Sequence, residues 1–216
     1  MQTDDLFGGP SPGERERMGP CALVLRGWAL PHVDAVLPAI AQVQAQAPFR
    51  HMTTPGGFTM SVALSNCGCW GWVSDRRGYR YSRVDPVSGQ PWPAMPAALY
   101  HLAREAAQAA GYPGFAPDAC LINRYAPGAR MSLHQDKDER DLSAPIVSVS
   151  LGMGATFLFG GHARTDKAAR LALHHGDVAV WGGEDRLRYH GVMPLEGPPH
   201  PLLGSQRINL TFRQAG

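Results

Sequence analysis

Residues 207–213 read RINLTFR, and from Ala119 onward the chain approaches them through seven segments of similar length: ACLINRYAP (119–127), RMSLHQD (130–136), PIVSVSLG (145–152), ATFLFGG (155–161), RLALHHGD (170–177), VAVWGG (178–183) and RLRYHGV (186–192). In RINLTFR polar and apolar residues alternate without a break. Arg207, Asn209, Thr211 and Arg213 therefore share one face of a strand, and Ile208, Leu210 and Phe212 share the other. Short strands in this number, separated by Gly-rich turns, predict a sandwich or jelly roll. Two arginines on one strand face can clamp a dianionic small molecule by bidentate hydrogen bonds. An exposed edge strand with a solvated polar face would give the same pattern.

Toward the N-terminus the patterning changes. Met95, Leu99, Leu102 and Ala106 fall at helical spacing and predict a helix over about 94–110, with Gly111 at its stop. Val33, Val36, Leu37, Ile40 and Val43 predict another over 32–46, with Pro38 weakening its first turns. ALVLRGWAL (22–30) reads as a first strand, and residues 1–20, rich in Gly, Pro and charge, as a flexible arm. Between the helices, 49–92 holds Phe49, Phe58, Trp70, Trp72, Tyr79, Tyr81 and Trp92, seven of the eighteen aromatics. It also carries five arginines (50, 76, 77, 80 and 83) against Asp75 and Asp85.

The 216 residues suit one domain over 21–216 with a core large enough to need no disulfide or structural metal. A net charge of +2 is too small to indicate nucleic-acid binding by itself, so any such function rests on local charge. Cys21, Cys67, Cys69 and Cys120 lack the paired spacing of a zinc site and read as reduced thiols. The N-terminal stretch has no apolar signal core. Leu142–Gly161 is uncharged over a length that raises the membrane question, but its glycines divide it into IVSVSLG and ATFLFGG, which read as a buried strand pair. A soluble, cytoplasmic protein is expected.

Nine histidines and twelve aspartates in this length make about half of one H-x-D by chance, and three occur. His32-Val33-Asp34 lies in the predicted helix, where i and i+2 are not neighbours. His175-Gly176-Asp177 reads as a turn whose aspartate makes local hydrogen bonds. His134-Gln135-Asp136 follows an alternating segment, and on a strand both ligands face one ion. His190, on a later strand, could complete two histidines and a carboxylate, the facial triad of non-haem iron(II) oxygenases.

NRYAPGARMSLHQDKDE, HGDVAVWGGEDRLRYHG and RINLTFRQAG resemble, in this order, the signature segments of the AlkB family of nucleic-acid dealkylating dioxygenases. TPGGFTMSVALSNCG, PWPAMP, AAGYPGFAPDACLINRYAPG and APIVSVSLG extend the resemblance over about Pro48 to Gly216. It implies a mostly β protein: a double-stranded β-helix, or jelly roll, whose supporting helices back one sheet, with 49–92 as a nucleotide-recognition lid. It implies iron(II) on His134, Asp136 and His190, with dioxygen and 2-oxoglutarate as co-substrates. Asn123, Arg124, Tyr125, Arg207, Asn209, Thr211 and Arg213 are implied in the 2-oxoglutarate site, and Trp72, Tyr79, Arg80, Tyr81, Asp138 and Arg164 at the substrate.

The implied reaction couples oxidative decarboxylation of 2-oxoglutarate to hydroxylation of an N-alkyl group, with release of aldehyde and free base. The implied target is alkylated single- or double-stranded DNA, with RNA as an alternative, and the implied form is a monomer. N1-methyladenine and N3-methylcytosine are cationic and cannot pair, so they unstack cheaply and suit an aromatic face beside a carboxylate. The residues Cys69-Trp70 ahead of Gly71-Trp72 make the lid a variable element. Two rival readings stand: a related dioxygenase acting on protein or small molecules, and a non-catalytic damaged-base binding module on the same scaffold.

Overall fold

The computed structural model describes residues 11–216; of the arm expected over 1–20, residues 1–10 lie outside the described residues. The strands are β1 (Arg15–Gly19), β2 (Ala22–Leu25), β3 (Arg50–Thr53), β4 (Thr59–Gly68), β5 (Gly71–Asp75), β6 (Gly78–Ser82), β7 (Ala119–Tyr125), β8 (Met131–His134), β9 (Ile146–Gly152), β10 (Ala155–Phe159), β11 (Ala169–Leu173), β12 (Val178–Trp181), β13 (His190–Val192) and β14 (Arg207–Arg213). Helix α1 spans Val33–Gln46 and α2 spans Ala97–Ala109. Eight strands form a major sheet in the order β1-β2-β12-β9-β14-β7-β4-β3, four form a minor sheet in the order β11-β10-β13-β8, and β5-β6 form a separate hairpin.

RINLTFR is not an edge. β14 lies between β9 and β7, antiparallel to both, and all seven residues are buried. Its alternation therefore separates two buried faces. Ile208, Leu210 and Phe212 pack with Val36, Ile40, Leu99 and Leu102 of the helices, which back the outside of the major sheet. The polar face turns into the space between the sheets, where Tyr125, Ile146 and Trp181 of the major sheet meet Phe157, Phe159 and Val192 of the minor sheet. This is the jelly-roll architecture: mostly β, with helices on one side.

Two sequence expectations need correction. Residues 15–19 are not a loose arm but pair with β2 as an edge strand, where Glu16 forms an ion pair with buried Arg26. Charged side chains are what a sheet edge favours, so a composition that looks disordered also suits this place. IVSVSLG and ATFLFGG are both strands, yet they do not pair with each other: β9 joins the major sheet and β10 the minor sheet. The chain crosses at Gly152, whose φ of +90° and close approach to the Gln206 carbonyl suit glycine alone.

The lid hairpin is anchored by its own small core of Met52, Leu64, Val73, Trp92 and Leu121. Gly71 lies so close to the Trp92 indole that a Cβ would meet it at 2.3 Å. Below the lid, Arg50 and Asp85 form an ion pair.

Candidate active site

β8 ends at His134, and antiparallel pairing sets His190, the first residue of β13, directly opposite. That register explains how residues 56 apart in sequence meet, their rings 4.4 Å apart. Asp136 follows two residues after His134 and completes the cluster. His134 Nε2 is 3.6 Å from Asp136 Oδ1, and His190 Nε2 is 3.6 Å from Oδ2. The three ligand atoms lie within 4.8 Å of one another.

Both rings are oriented for metal binding. His134 Nδ1 lies 2.9 Å from the Ser132 carbonyl and His190 Nδ1 lies 3.0 Å from the Arg188 carbonyl. A carbonyl accepts only, so each Nδ1 carries the proton and each Nε2 presents a lone pair inward. Enclosure in the cavity, with His190 alongside, lowers His134 to about 4. Burial would raise Asp136, but the Arg213 guanidinium above all holds it well below the usual carboxylate range. The donor set is thus two imidazole nitrogens and one carboxylate, which fits iron(II).

An ionic network fixes that carboxylate. Arg213 donates to Asp136 Oδ2 from Nη2 at 2.7 Å and from Nε at 3.1 Å. Arg186 donates to the Asp136 backbone carbonyl at 2.6 Å and to Glu139 at 3.0 Å. Glu139 also lies 3.2 Å from Arg213 and accepts from the Tyr81 hydroxyl at 2.7 Å.

The polar face of β14 continues the site into a cavity of about 910 Å³ between the sheets. Arg207 is buried; its Nη2 donates to Ser150 Oγ at 2.9 Å, but Nε and Nη1 have no partner among the described residues. Burial lowers its pKa. Asn123 Oδ1 also lacks a partner. Orphaned donors on a buried guanidinium are costly unless an anion meets them, so this cradle fits a carboxylate of 2-oxoglutarate. Asn209 is held by Ser148, Val149 and Thr211, so Thr211 supports the wall through Asn209. Tyr125 lines the cavity beneath Arg207, whose guanidinium lies 5.0 Å from its ring centre.

At the mouth, Trp72 Nε1 donates to Asp138 Oδ2 at 2.8 Å and the indole stacks on Tyr79 with centres 5.4 Å apart. Arg164 lines the cavity with its guanidinium over Tyr189. Three expected site residues lie elsewhere. Arg124 faces away on β7, exposed, over Phe49, because neighbours on a strand take opposite faces. Arg80 is paired with Asp75 at 2.7 Å within the lid and does not line the cavity. Tyr81 does not line it either, since its hydroxyl is engaged by Glu139.

The sequence reading missed Ser148, Ser150, Glu139 and Arg186. The serines were detectable, because they alternate with valines in IVSVSLG and so share one face of a strand. Glu139 was not, sitting in a charge run that reads as solvated.

The 2OG-Fe(II) oxygenase superfamily model matches residues 22–213. The alpha-ketoglutarate-dependent dioxygenase AlkB of Escherichia coli is 58% identical over 98% of both chains. The chain belongs to the AlkB family. An AlkB homolog of Caulobacter vibrioides is 46% identical over 84% of this chain and 81% of its own. The solved structure of OsALKBH1 superposes with a TM-score of 0.82 at 29% identity, covering 93% of this chain and all of that one. As an AlkB-family chain, it is an iron(II)- and 2-oxoglutarate-dependent dioxygenase.

Proposed function

We propose that the protein repairs N-alkylated bases such as N1-methyladenine and N3-methylcytosine in DNA, with RNA as a second target, acting as a cytoplasmic monomer. The observation that carries this reading is the Trp72–Asp138 hydrogen bond at the mouth of the iron-side cavity. An aromatic face tied to a carboxylate suits a flat, cationic ring better than a neutral peptide or a small acid. Exposed Phe58 and Tyr79 on the same rim offer further stacking surface to a single strand of either nucleic acid. No described helix is long and apolar enough to cross a membrane.

In this reading His134, Asp136 and His190 hold iron(II), and Arg207 and Asn123 meet 2-oxoglutarate. Arg213 keeps Asp136 ionised and aimed. Bound iron with its co-substrates supplies the oxidising power that hydroxylates the N-alkyl carbon. Trp72 and His134 flank the extruded base, while Asp138 stabilises its positive charge. The enclosing sheets limit water around the reacting carbon.

Anaerobic protein, supplied with iron(II), 2-oxoglutarate, oxygen and an oligonucleotide containing N1-methyladenine, is expected to give succinate, formaldehyde and repaired base in equal amounts by mass spectrometry. Succinate without repaired base would move the substrate to a protein or small molecule. No product despite bound iron would favour a binding module.

A further inference from the structure

Trp70 lies outside the catalytic cavity, yet two guanidiniums converge on it. Arg83 lies 4.7 Å and Arg140 lies 5.5 Å from the centre of its indole. They come from different parts of the chain: Arg83 from the exit of the lid hairpin, Arg140 from the segment that follows the iron ligand Asp136. Both are exposed, and neither forms an ion pair among the described residues. The neighbouring side-chain carboxylates are engaged elsewhere, and the Gly216 backbone packs against the Trp70 indole. Asp118 accepts from the Ala215 and Gly216 amides, Asp138 from Trp72, Glu139 from Tyr81 and Arg186, and Asp141 from the Ser143 amide. A ring face orders a guanidinium without consuming its in-plane N–H donors. Two guanidiniums ordered on one indole with free N–H donors can offer an anion charge-assisted hydrogen bonds.

We propose that Trp70, Arg83 and Arg140 bind a backbone phosphate of the nucleic-acid strand whose damaged base enters the cavity. This rests on the nucleic-acid reading above. Position argues for it. Trp70 precedes Trp72 by two residues and Arg140 follows Asp138 by two, and Trp72 and Asp138 are joined at the cavity mouth. Gly71 presses on Trp92, so its neighbours Trp70 and Trp72 share the opposite side. Two residues of extended chain span about 7 Å, comparable to one phosphate-to-phosphate step along a strand. The site would hold a phosphate beyond the two that flank the extruded nucleotide and fix register without reading sequence.

The test measures binding of a methylated single strand to the iron-loaded protein by fluorescence anisotropy across a salt series, with turnover of a methylated trinucleotide measured beside it. Arg83→Ala/Arg140→Ala is expected to weaken binding by up to about fivefold per arginine at low salt, and to flatten the log–log salt slope by about 0.7 for each phosphate no longer neutralised. Trinucleotide turnover should be unchanged. Arg83→Lys/Arg140→Lys should restore the slope. Arg104→Ala serves as control, because Arg104 lies over Tyr100 on α2 in the same chemistry but in the helical layer. A wild-type slope in the Ala double variant, or an equal change in the Arg104 control, would overturn the proposal. Loss of trinucleotide turnover in the wild type would instead overturn the function on which it rests.

Discussion

On the iron side, the polar side chains of β14 are buried and held by β9, and their neighbours are themselves held. Asn209 is fastened by Ser148 and Val149, and Arg213 is shared between Asp136 and Glu139. In the lid, by contrast, Tyr79 is half exposed, Arg80 faces solvent with Asp75, and Trp72 reaches the rest of the site through Asp138. One half is a network in which each polar group has little freedom. The other is a small platform standing on Trp92 and Val73. A fixed metal geometry suits the first, and under the proposed function recognition of a flexible strand suits the second.

The sharpest way to separate the halves is Asp136→Ala. It should abolish succinate and repaired base by mass spectrometry while leaving oligonucleotide binding by anisotropy nearly intact. A comparable loss of binding would mean that the two halves do not work separately. Next comes Arg207→Met, which removes the buried cation facing the co-substrate. The KM for 2-oxoglutarate should rise about 30- to 1,000-fold, while the Tm measured without co-substrate should not fall. A lower Tm would show that Arg207 serves packing instead.

Trp72→Ala strikes the other half. Loss of a stacking face worth about 1–3 kcal/mol should weaken binding of a methylated oligonucleotide about 5- to 150-fold, with 2-oxoglutarate consumption in its absence largely kept. Undiminished repair would remove Trp72 from the substrate site. The smallest effect is one of pH. Burial opposes ionisation of Asp85, but Arg50, the Val87 amide and Ser88 outweigh it and leave its pKa lowered. A lowered carboxylate stabilises the folded protein above its unfolded pKa and loses that contribution as pH falls through the folded value. Lid amides should therefore lose protection relative to their intrinsic exchange rates below about pH 4, and Asp85→Asn should remove that step in hydrogen exchange.

Much of the fold and of the site could be read from periodicity. Strict alternation in RINLTFR gave its two faces, though not that both are buried, since period alone cannot tell solvent from a polar cavity. His134 and Asp136 followed from spacing, and His190 was a candidate whose place depended on a strand register that only the folded sheets supply. β1 was missed because an edge strand and a disordered arm share a composition. β9 and β10 were expected to pair because adjacent segments usually do, but between them the chain crosses from the major sheet to the minor one. Arg80, Tyr81 and Arg124, expected at the site by resemblance, are engaged by Asp75, by Glu139 and over Phe49.

Arg207 is a cation wholly inside the protein, with two donor nitrogens that have no partner among the described residues. Its counter-ion has to arrive from solution. A dianion that binds there binds the folded chain and not the unfolded one, which at a hundredfold excess over Kd adds about 2.7 kcal/mol to stability. The co-substrate thereby becomes a folding ligand as well as a reactant.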